Sequence, residues 1–384
     1  MSAAILPALL QPDALQEFLS TWPNQCIQSH GSVDRLPDVF RDSPLKNIKD
    51  LADIFDGEFL ACDARVDSRM KPVVDEPVQA ILERGVTAYL GDVATLLQGA
   101  GDFLVQLEAE LGIDGGCSRM GAFISPAGNG ASCHYDVLDV ISIQLVGTKQ
   151  FNVSPVKEIR FPYGYQYNPE MPAFEDLYPQ IRDGFPDYSG QEFTEIDMRP
   201  GSVLFMPRGT WHHTRADTDS LAISIALSPP TEMERLLKQL SSTLLQSARW
   251  RRPRYGVSAD SAATYDELPA VVSKVVQREH DAAAPSRRFG RDSRYLRDPS
   301  VSLQEVDAGN GVFDITITGQ TVAHIQVPPG TAKVFRWLMQ QQGPFTVNSA
   351  MHAFPELKLD YFRQIFQVAG ETGLARYLWF DPIG

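Results

Sequence analysis

The sequence predicts an α+β protein built around an all-β barrel or sandwich. From about residue 115 to residue 230 the chain is a succession of short segments rich in Val, Ile and Phe. They are separated by Gly, Pro and Asn, a pattern typical of barrels and sandwiches. Before and after this region apolar residues recur at helical spacing instead. The β core is therefore expected between an α-rich N-terminal segment and a mixed C-terminal part.

The N-terminal segment is predicted to contain two helices. A short helix is expected over residues 12–21, because Pro12 suits the first helical position and apolar residues share one face. A longer helix is expected to start near Thr87 or Asp92 and to end at Leu111.

The β core is predicted from six segments, MGAFISP, DVISIQLVG, KQFNVSP, FTEIDM, SVLFMP and SLAISIALS. After it, Thr231 and Glu234 form a capping box at the start of a helix that continues to Trp250. The tail mixes two strand-like segments, GVFDITIT and TVAHIQV, with helices at about 331–342 and 358–372. The sequence shows no internal repeat.

Composition excludes several classes of protein. Hydrophobic residues make up 43% and charged residues 21% of the 384 residues, as in ordinary soluble globular proteins. No run of about 18 apolar residues predicts a membrane span, and the N-terminus lacks the basic start of a signal peptide. The four Cys form no CxxC pair, which suits a reducing compartment and does not suggest zinc. A cytoplasmic protein is therefore expected.

The charge balance argues against nucleic acid as a general partner. The chain has 48 acidic and 34 basic residues, a formal charge of −14, whereas phosphate binding needs clustered Lys and Arg. One region departs from this average, with ten Arg between residues 249 and 297. It is either a solvated, Arg-rich linker or a docking patch for an anionic partner such as RNA.

Two places in the β region suggest a metal centre. His134 and Asp136 lie two residues apart at the entry to DVISIQLVG, and residues two apart in a strand project to the same face. In PRGTWHHT, either His212 or His213 follows the strand SVLFMP. Two imidazoles and one carboxylate on one face of an ion form the facial triad of non-haem Fe(II) oxygenases. Taken alone, the HxD spacing also fits a hydrogen-bonded pair in a loop.

A lysine adds to this pattern. Lys149 follows His134 by about one strand length, and a buried lysine at the inner end of a barrel strand needs a counter-charge. The distal carboxylate of 2-oxoglutarate would provide it, while the keto-acid end chelates the metal. The alternative for Lys149, within LVGTKQF, is an exposed hairpin residue.

Together these motifs carry a family resemblance. The stretches SPAGNGASCHYDVLDVISIQLVGTKQFNVSP and PGSVLFMPRGTWHHTRADTDSLAISIALSPP resemble the JmjC family of 2-oxoglutarate-dependent oxygenases, specifically over roughly residues 115–230. Within it the chain is most similar to the ribosomal-oxygenase type, whose members hydroxylate Arg or His in ribosomal proteins. The family pattern is HxD, a basic residue 15 positions after the first His, and a distal His five positions after the Pro of the closing strand. Those positions are His134, Asp136, Lys149 and His212, so the resemblance favours His212 over His213 as a ligand.

The resemblance implies the fold, the cofactors and the activity. The core would be a double-stranded β-helix of the jelly-roll or cupin type, with Fe(II), 2-oxoglutarate and O2 at its site. The reaction would hydroxylate an unactivated C–H bond of a protein or peptide side chain, giving succinate and CO2, with a ribosomal protein as the first guess for the substrate. The implied domains are a catalytic domain over 1–230, a helical dimerisation segment over 231–300 and a winged-helix-like domain over 301–384, so a homodimer is expected.

The chain departs from the family pattern at two places. Members usually carry a hydroxyl or amide residue on the strand before HxD to help hold 2-oxoglutarate. Around that place this chain has Met120, Ala122 and Ala131, with only Ser125 and Ser132 nearby. Ser142 and Ser224, on the following and last core strands, could substitute as co-substrate contacts. The second departure is a long insert over residues 161–194, rich in Tyr and Pro, which could form a lid or a substrate wall.

Other functions stay open at the level of sequence. The substrate could be a peptidic natural product or a small metabolite. The barrel could also be a non-enzymatic, metal-binding cupin sensor or scaffold whose tail binds DNA. Residues 301–384 contain five basic and seven acidic residues, a net charge of −2, whereas DNA readers are normally basic. Direct DNA binding is therefore not expected.

Overall fold

The computed structural model describes residues 5–41, 43–66, 69–73, 75–113, 115–182, 184–253, 265–266, 268–283, 294–309, 311–319, 322–343 and 345–377. Contacts along the chain divide it into two units. The first comprises Met1–Glu108 and Asp114–Ser228, and the second comprises Ala109–Ile113 and Pro229–Gly384. All of the predicted site residues belong to the first unit.

The described strands of the first unit form two antiparallel sheets. They are β1 (Ile27–Ser29), β2 (Phe59–Cys62), β3 (Lys71–Val73), β4 (Thr87–Leu90), β5 (Ser118–Ser125), β6 (Gly130–His134), β7 (Asp139–Val146), β8 (Lys149–Pro155), β9 (Thr194–Met198), β10 (Val203–Met206), β11 (Thr210–Ala216) and β12 (Ser220–Leu227). The larger sheet has the order β1-β10-β7-β12-β5-β4-β2-β3, and the smaller sheet has the order β6-β11-β8-β9.

Strands β5 to β12 make the cupin-like core that was predicted. Consecutive strands mostly alternate between the two sheets, so that β5, β7, β10 and β12 lie in one and β6, β8, β9 and β11 in the other. One hydrophobic cluster draws buried side chains from both sheets: Val140, Leu204, Met206, Phe151, Val153, Ile196 and Met198. The inner faces of the two sheets therefore pack against each other.

Side-chain alternation along β12 explains why space remains between the sheets. Leu221, Ile223 and Ile225 lie on one face, while Ala222 and Ser224 lie on the other. In the antiparallel pairing Ser224 is opposite Ser142 and Ala222 is opposite Gln144, so these residues share the inner face. Small and polar side chains on that face leave room for a site.

The helices that precede β5 agree only partly with the sequence prediction. The described helices are Ile5–Leu9 (α1), Pro12–Thr21 (α2), Ile48–Ile54 (α3), Val78–Glu83 (α4) and Ala100–Leu111 (α5). Helix α2 has its predicted bounds, but the helix predicted to start near Thr87 or Asp92 begins only at Ala100. Thr87–Leu90 is instead a strand that pairs with β2 and β5, and Asp92 has a left-handed backbone (φ 50°) that interrupts any helix.

The second unit has its own α+β core. Its described helices are Glu232–Leu244 (α6), Ala248–Arg251 (α7), Leu268–Ala283 (α8), Pro329–Gln340 (α9), Val347–Ala353 (α10) and Leu359–Glu371 (α11). Its described strands are Arg294–Arg297 (β13), Ser302–Gly309 (β14), Val312–Thr318 (β15), Val322–Val327 (β16), Phe345–Thr346 (β17) and Ala375–Tyr377 (β18), in two sheets of order β17-β13-β18 and β14-β15-β16. Phe335, Phe362 and Phe366 lie at the centre of its hydrophobic cluster.

Several predictions for this unit are confirmed. The capping box of Thr231 and Glu234 begins α6, and the two predicted tail helices correspond to α9 and α11. The helix predicted to continue to Trp250 instead ends at Leu244 and is followed by the separate helix α7. Much of the Arg-rich stretch, including Arg254, Arg287, Arg288 and Arg291, lies outside the described residues. Within the described part of the chain, no helix combines the length and the apolar character needed to cross a membrane.

Candidate metal centre

Strand pairing brings two of the predicted ligands face to face. His134 ends β6 and His212 lies in β11, and the two are direct partners in the β6–β11 register. Their imidazole centroids are 4.2 Å apart. Asp136 completes the group, since one potential ligand atom from each of the three residues lies within 4.8 Å of the others.

Asp136 is held by backbone contacts outside the strands. The sequence interpretation put His134 and Asp136 at the start of a strand, but His134 ends β6 and β7 begins only at Asp139. The intervening Tyr135 exchanges two backbone hydrogen bonds with Tyr167, of 3.1 and 3.0 Å, which keep the chain extended. His134 and Asp136 therefore still project to the same side. The carbonyl of Asp136 also accepts a 2.9 Å bond from the amide of Gly209.

Hydrogen bonds to Nδ1 set the tautomer of both imidazoles. His134 Nδ1 lies 2.7 Å from the carbonyl of Ser132, and His212 Nδ1 lies 3.0 Å from the carbonyl of Thr210. Because a carbonyl oxygen only accepts, Nδ1 carries the proton and donates in each case. The lone pair of each Nε2 is then free, as metal-ligating imidazoles require.

The Nε2 atoms converge on the carboxylate. His134 Nε2 is 4.0 Å from one oxygen of Asp136, and His212 Nε2 is 3.8 Å from the other. Burial, followed by the charge of His134, lowers the pKa of His212 to about 4, so its imidazole is neutral near pH 7. Two imidazoles and a carboxylate around one point fit a divalent transition-metal ion.

His213 lies on the opposite face of the smaller sheet. It pairs with Asn152, and its ring packs edge to face against Phe193 at 5.2 Å between centroids. Adjacent residues of a strand project to opposite faces, so only His212 joins the cluster. The family resemblance favoured His212, and the strand pairing places His212 rather than His213 opposite His134.

Lys149 is buried on the inner face, at the start of β8. Only 3% of the residue is exposed, which excludes the alternative of an exposed hairpin lysine. Its Nζ donates a 3.3 Å hydrogen bond to Ser125 and lies 5.3 Å from the ring centroid of Phe123 and 5.7 Å from that of Phe151. Burial lowers the pKa of Lys149 to about 8. Among the described residues, no carboxylate forms an ion pair with this ammonium group.

Three serines lie on the inner face of the larger sheet, one beside Lys149 and two farther along β7 and β12. Ser142 and Ser224, the predicted co-substrate contacts, are buried and directly opposite each other in the β7–β12 pairing. The hydrogen bond of Lys149 goes instead to Ser125, which pairs with Ser220 at the start of β12. Ser224 is four residues further along β12, or about 13 Å by strand rise. The structure therefore brings Ser125, rather than the two predicted serines, to the lysine end.

Tyr89 is a site residue that the sequence interpretation missed. It pairs with Phe123 across β4 and β5, and the two ring centroids are 4.6 Å apart. Its ring lies over Gly121, where a Cβ atom would come within 2.5 Å of the phenol oxygen. Burial and, to a smaller degree, the charge of Asp136 raise the pKa of Tyr89. The phenol therefore lies between the sheets near the triad, through a pairing that no local motif signals.

Residues of the insert at 161–194 pack against the aromatic side chains that neighbour the proposed ligands. Tyr135 and Trp211, which alternate with the ligands along the chain, have no exposed surface and pack at 4.9 Å between ring centroids. Tyr167 and Tyr188 of the insert lie 6.3 and 5.4 Å from Trp211. Tyr167 and Tyr188 therefore pack on the face of the smaller sheet opposite to the ligand atoms. For the rest of the insert, a lid or a substrate wall stays a prediction.

One part of the chain matches a known family of domains. Residues 112–235 match the JmjC domain family. This match spans the motifs at residues 115–230 and confirms the predicted resemblance to JmjC domains there.

Individual relatives were found by sequence and by structure. The uncharacterized protein YxbC of Bacillus subtilis is 22% identical over 319 residues, 80% of this chain and 96% of that protein. Ribosomal oxygenase 2 of Mus musculus is 32% identical over 111 residues, 28% of this chain and 20% of that protein. Among solved structures, the ribosomal oxygenase YcfD of Escherichia coli in complex with cobalt and 2-oxoglutarate is similar with a TM-score of 0.44 and 14% identity, covering 94% of this chain and 97% of that one.

Proposed function

We propose that this chain, with its JmjC domain at residues 112–235, is an Fe(II)- and 2-oxoglutarate-dependent oxygenase. The observation that carries the proposal is a pair of features on one inner face of the barrel. The ligand atoms of His134, Asp136 and His212 converge, with His212 in β11 and His134 on its partner strand β6. The buried ammonium group of Lys149 lies on β8, the other neighbour of β11. The first group suits Fe(II), and the second suits the far carboxylate of 2-oxoglutarate.

The triad supplies three ligands on one side of the ion. His134 and His212 would bind through Nε2, and Asp136 through a carboxylate oxygen, because Nδ1 of each imidazole is already used. The remaining coordination positions would be open to the keto-acid group and to O2. When bound, the metal and 2-oxoglutarate would activate O2 to oxidise a C–H bond, with succinate and CO2 as products.

Lys149 would orient the co-substrate. Its ammonium group is buried without a carboxylate partner in the described part of the chain, which is unfavourable until an anion binds. The rings of Phe123 and Phe151 beside Nζ exclude water, so an ion pair formed here would be strong. The hydroxyl of Ser125 is placed to donate a second hydrogen bond to the same carboxylate.

We further propose that the reaction is hydroxylation of a side chain in a protein or peptide, with Arg or His of a ribosomal protein as the first candidate. The support is the JmjC match together with a relative named ribosomal oxygenase.

The four cysteines are free thiols, in agreement with a cytoplasmic location.

We also propose that the chain forms a homodimer through the segment at residues 231–300. Helix α6 has no buried residue, and Met233, Leu236 and Leu237 are 47%, 39% and 53% exposed. Their spacing puts them on one stripe of the helix, which a second copy could cover. The C-terminal helices and the sheet β17-β13-β18 are proposed to form a winged-helix-like domain that contacts protein rather than DNA. Light scattering at micromolar concentration tests the dimer, and a monomeric mass would refute it.

The oxygenase is tested by an anaerobic titration with Fe(II) and then 2-oxoglutarate. A metal-bound keto acid gives a visible charge-transfer band, which should appear in the wild-type protein and in His213→Ala but not in His212→Ala. If the metal binds and no band forms with 2-oxoglutarate, the barrel is a metal-binding or scaffold protein and the proposed activity is wrong.

A further inference from the structure

We propose that the insert at residues 161–194 is a docking surface for a Lys- and Arg-rich segment of the substrate. The proposal rests on the proposed function, because it names the chemistry of the protein or peptide that the oxygenase would modify. It is argued from three properties of the insert: its exposed aromatic rings, its charge and its attachment to the metal centre.

The insert exposes an unusual amount of aromatic surface. Phe161, Tyr165, Tyr178 and Phe185 are 47%, 69%, 56% and 46% exposed. They are four of the six large aromatic side chains that are markedly exposed in the described residues, although the insert is less than a tenth of the chain. Exposed aromatic surface concentrated in one segment of the chain is typical of interaction sites.

The same segment is strongly acidic. Its sequence contains six carboxylates and one Arg, a net charge of −5. Five of the carboxylates lie in the described residues, and all are exposed: Glu170, Glu175, Asp176, Asp187 and Glu192. Within the described part of the chain, none of these five forms an ion pair with a basic side chain. They are therefore available to a basic partner.

The surface is preformed. Leu177 is fully buried and anchors the short helical turn at Glu175–Gln180. The side chain of Gln180 accepts a 2.8 Å hydrogen bond from the amide of Tyr163 and donates another of 2.8 Å to its carbonyl. The rings of Tyr178 and Phe185 pack together at 5.7 Å between centroids. A partner would therefore bind without first ordering the insert, which lowers the entropic cost of binding.

Aromatic residues alternate with carboxylates along this segment, a combination that suits cations. A guanidinium or ammonium group can lie over an aromatic face and pair with a nearby carboxylate, and Arg does both better than Lys. Phosphate and acidic peptides would be repelled by the net charge of −5. The chemistry of the surface therefore fits a basic polypeptide segment and not a nucleic acid.

The attachment of the insert links this surface to the metal centre. Tyr167 of the insert pairs through its backbone with Tyr135, which lies between the proposed ligands His134 and Asp136. The insert is thus anchored to the segment that carries Asp136, although Tyr167 itself packs on the face of the sheet opposite to the ligand atoms. Docking there would raise the local concentration of the adjoining target residue at the site.

The test uses the full-length protein and a short fluorescein-labelled peptide of Lys, Arg and Gly as the probe, with fluorescence anisotropy as the readout. The wild-type protein should bind this peptide and not a matched peptide of Asp, Glu and Gly. Tyr178→Ala and Phe185→Ala should each weaken binding about 2- to 5-fold, the value of one exposed cation–π contact. Glu175→Gln with Asp176→Asn should weaken it by a similar factor or more.

A matched control separates docking from general charge attraction. Asp56 and Glu58 are exposed carboxylates of the first unit that lie far from the insert in sequence, so Asp56→Asn with Glu58→Gln removes the same charge elsewhere. Equal weakening by this control pair would overturn the proposal, as would binding of the acidic peptide. The proposal would also be overturned if the wild type binds no peptide and Tyr178→Ala loses the dimer. That result would identify the surface as a self-association face.

The anaerobic Fe(II) and 2-oxoglutarate band distinguishes this proposal from the proposed function. The insert variants should keep the band, since their side chains lie outside the triad. His212→Ala should lose the band but still bind the basic peptide. A wild-type protein that shows the band without binding the peptide would refute the docking surface alone.

Discussion

His134 and His212 are direct partners across β6 and β11, with imidazole centroids 4.2 Å apart, although 77 residues separate them in the chain. Both rings donate Nδ1–H to a carbonyl two residues earlier on their own segment. The site is therefore organised by the backbone of two strands before any metal binds. This preorganisation reduces the cost of assembling a three-ligand site.

Loss of a triad ligand is expected to abolish turnover while the fold survives. His134→Ala and Asp136→Ala each remove one ligand. The side chains of His134 and Asp136 are 15% and 25% exposed, so little packing is lost. Consumption of 2-oxoglutarate should fall to background in both variants, while the circular dichroism spectrum stays that of the wild type. Turnover retained in either variant would contradict the assigned ligands.

Lys149→Ala is expected to separate co-substrate binding from metal binding. The ammonium group lies against Ser125 and Phe123 rather than among the ligands, so its removal should raise the apparent KM for 2-oxoglutarate far more than it weakens Fe(II) binding. Calorimetric titrations with Mn(II) and then 2-oxoglutarate measure the two affinities. An unchanged affinity for 2-oxoglutarate would show that Lys149 does not bind it.

Lys149→Met is expected to stabilise the protein in the absence of co-substrate. A buried ammonium group without a counter-charge is unfavourable, and Met fills a similar volume without charge. The free energy of unfolding should rise by about 1 kcal/mol or more, and 2-oxoglutarate should no longer raise the thermal midpoint. Chemical denaturation with and without 2-oxoglutarate provides the measurement, and a destabilised variant would argue that the ammonium group has an anionic partner in the free protein.

The affinity for 2-oxoglutarate is expected to fall at alkaline pH. Lys149 has its pKa lowered to about 8 by burial, so it is charged below this pH and neutral above it. Because the charged form attracts the carboxylate, the dissociation constant should be flat below about pH 8 and rise up to tenfold for each pH unit above it. A Lys149→Arg variant that still binds should lack this dependence, since Arg stays charged. A flat profile in the wild type would contradict the predicted pairing.

Gly121→Ala is expected to disturb the site through Tyr89. The added Cβ would meet the phenol oxygen at 2.5 Å, so the ring must move. We expect a loss of about 1–3 kcal/mol in the free energy of unfolding, as for other overpacked cores. Gly91→Ala is the matched control, because its Cβ would meet no atom within 4 Å. Tyr89→Ala in the Gly121→Ala background should restore part of the lost stability, and equal losses in the two single Gly variants would argue against the close approach.

Local sequence was sufficient for features that depend on a few neighbouring residues. Helix α2 and the capping box of α6 follow from residues within one turn of each other, and both have the predicted position. The helix predicted from Thr87 failed for the complementary reason. Thr87–Leu90 has an ambiguous local pattern, and its pairing with β2 and β5 decided that it is a strand.

The sequence by itself determined which residue types the site contains and where they stand in the chain, namely His134, Asp136, Lys149 and a histidine of the pair at 212 and 213. Only the tertiary structure decided that the lysine is buried beside Ser125, that Tyr89 lies over Gly121, and that Tyr167 of the insert pairs with Tyr135. The physical reason is that each of these contacts joins residues at least 24 positions apart through strand pairing or sheet packing. Spacing along one segment specifies the direction of a side chain, whereas its neighbours across the barrel depend on the register of every strand between them.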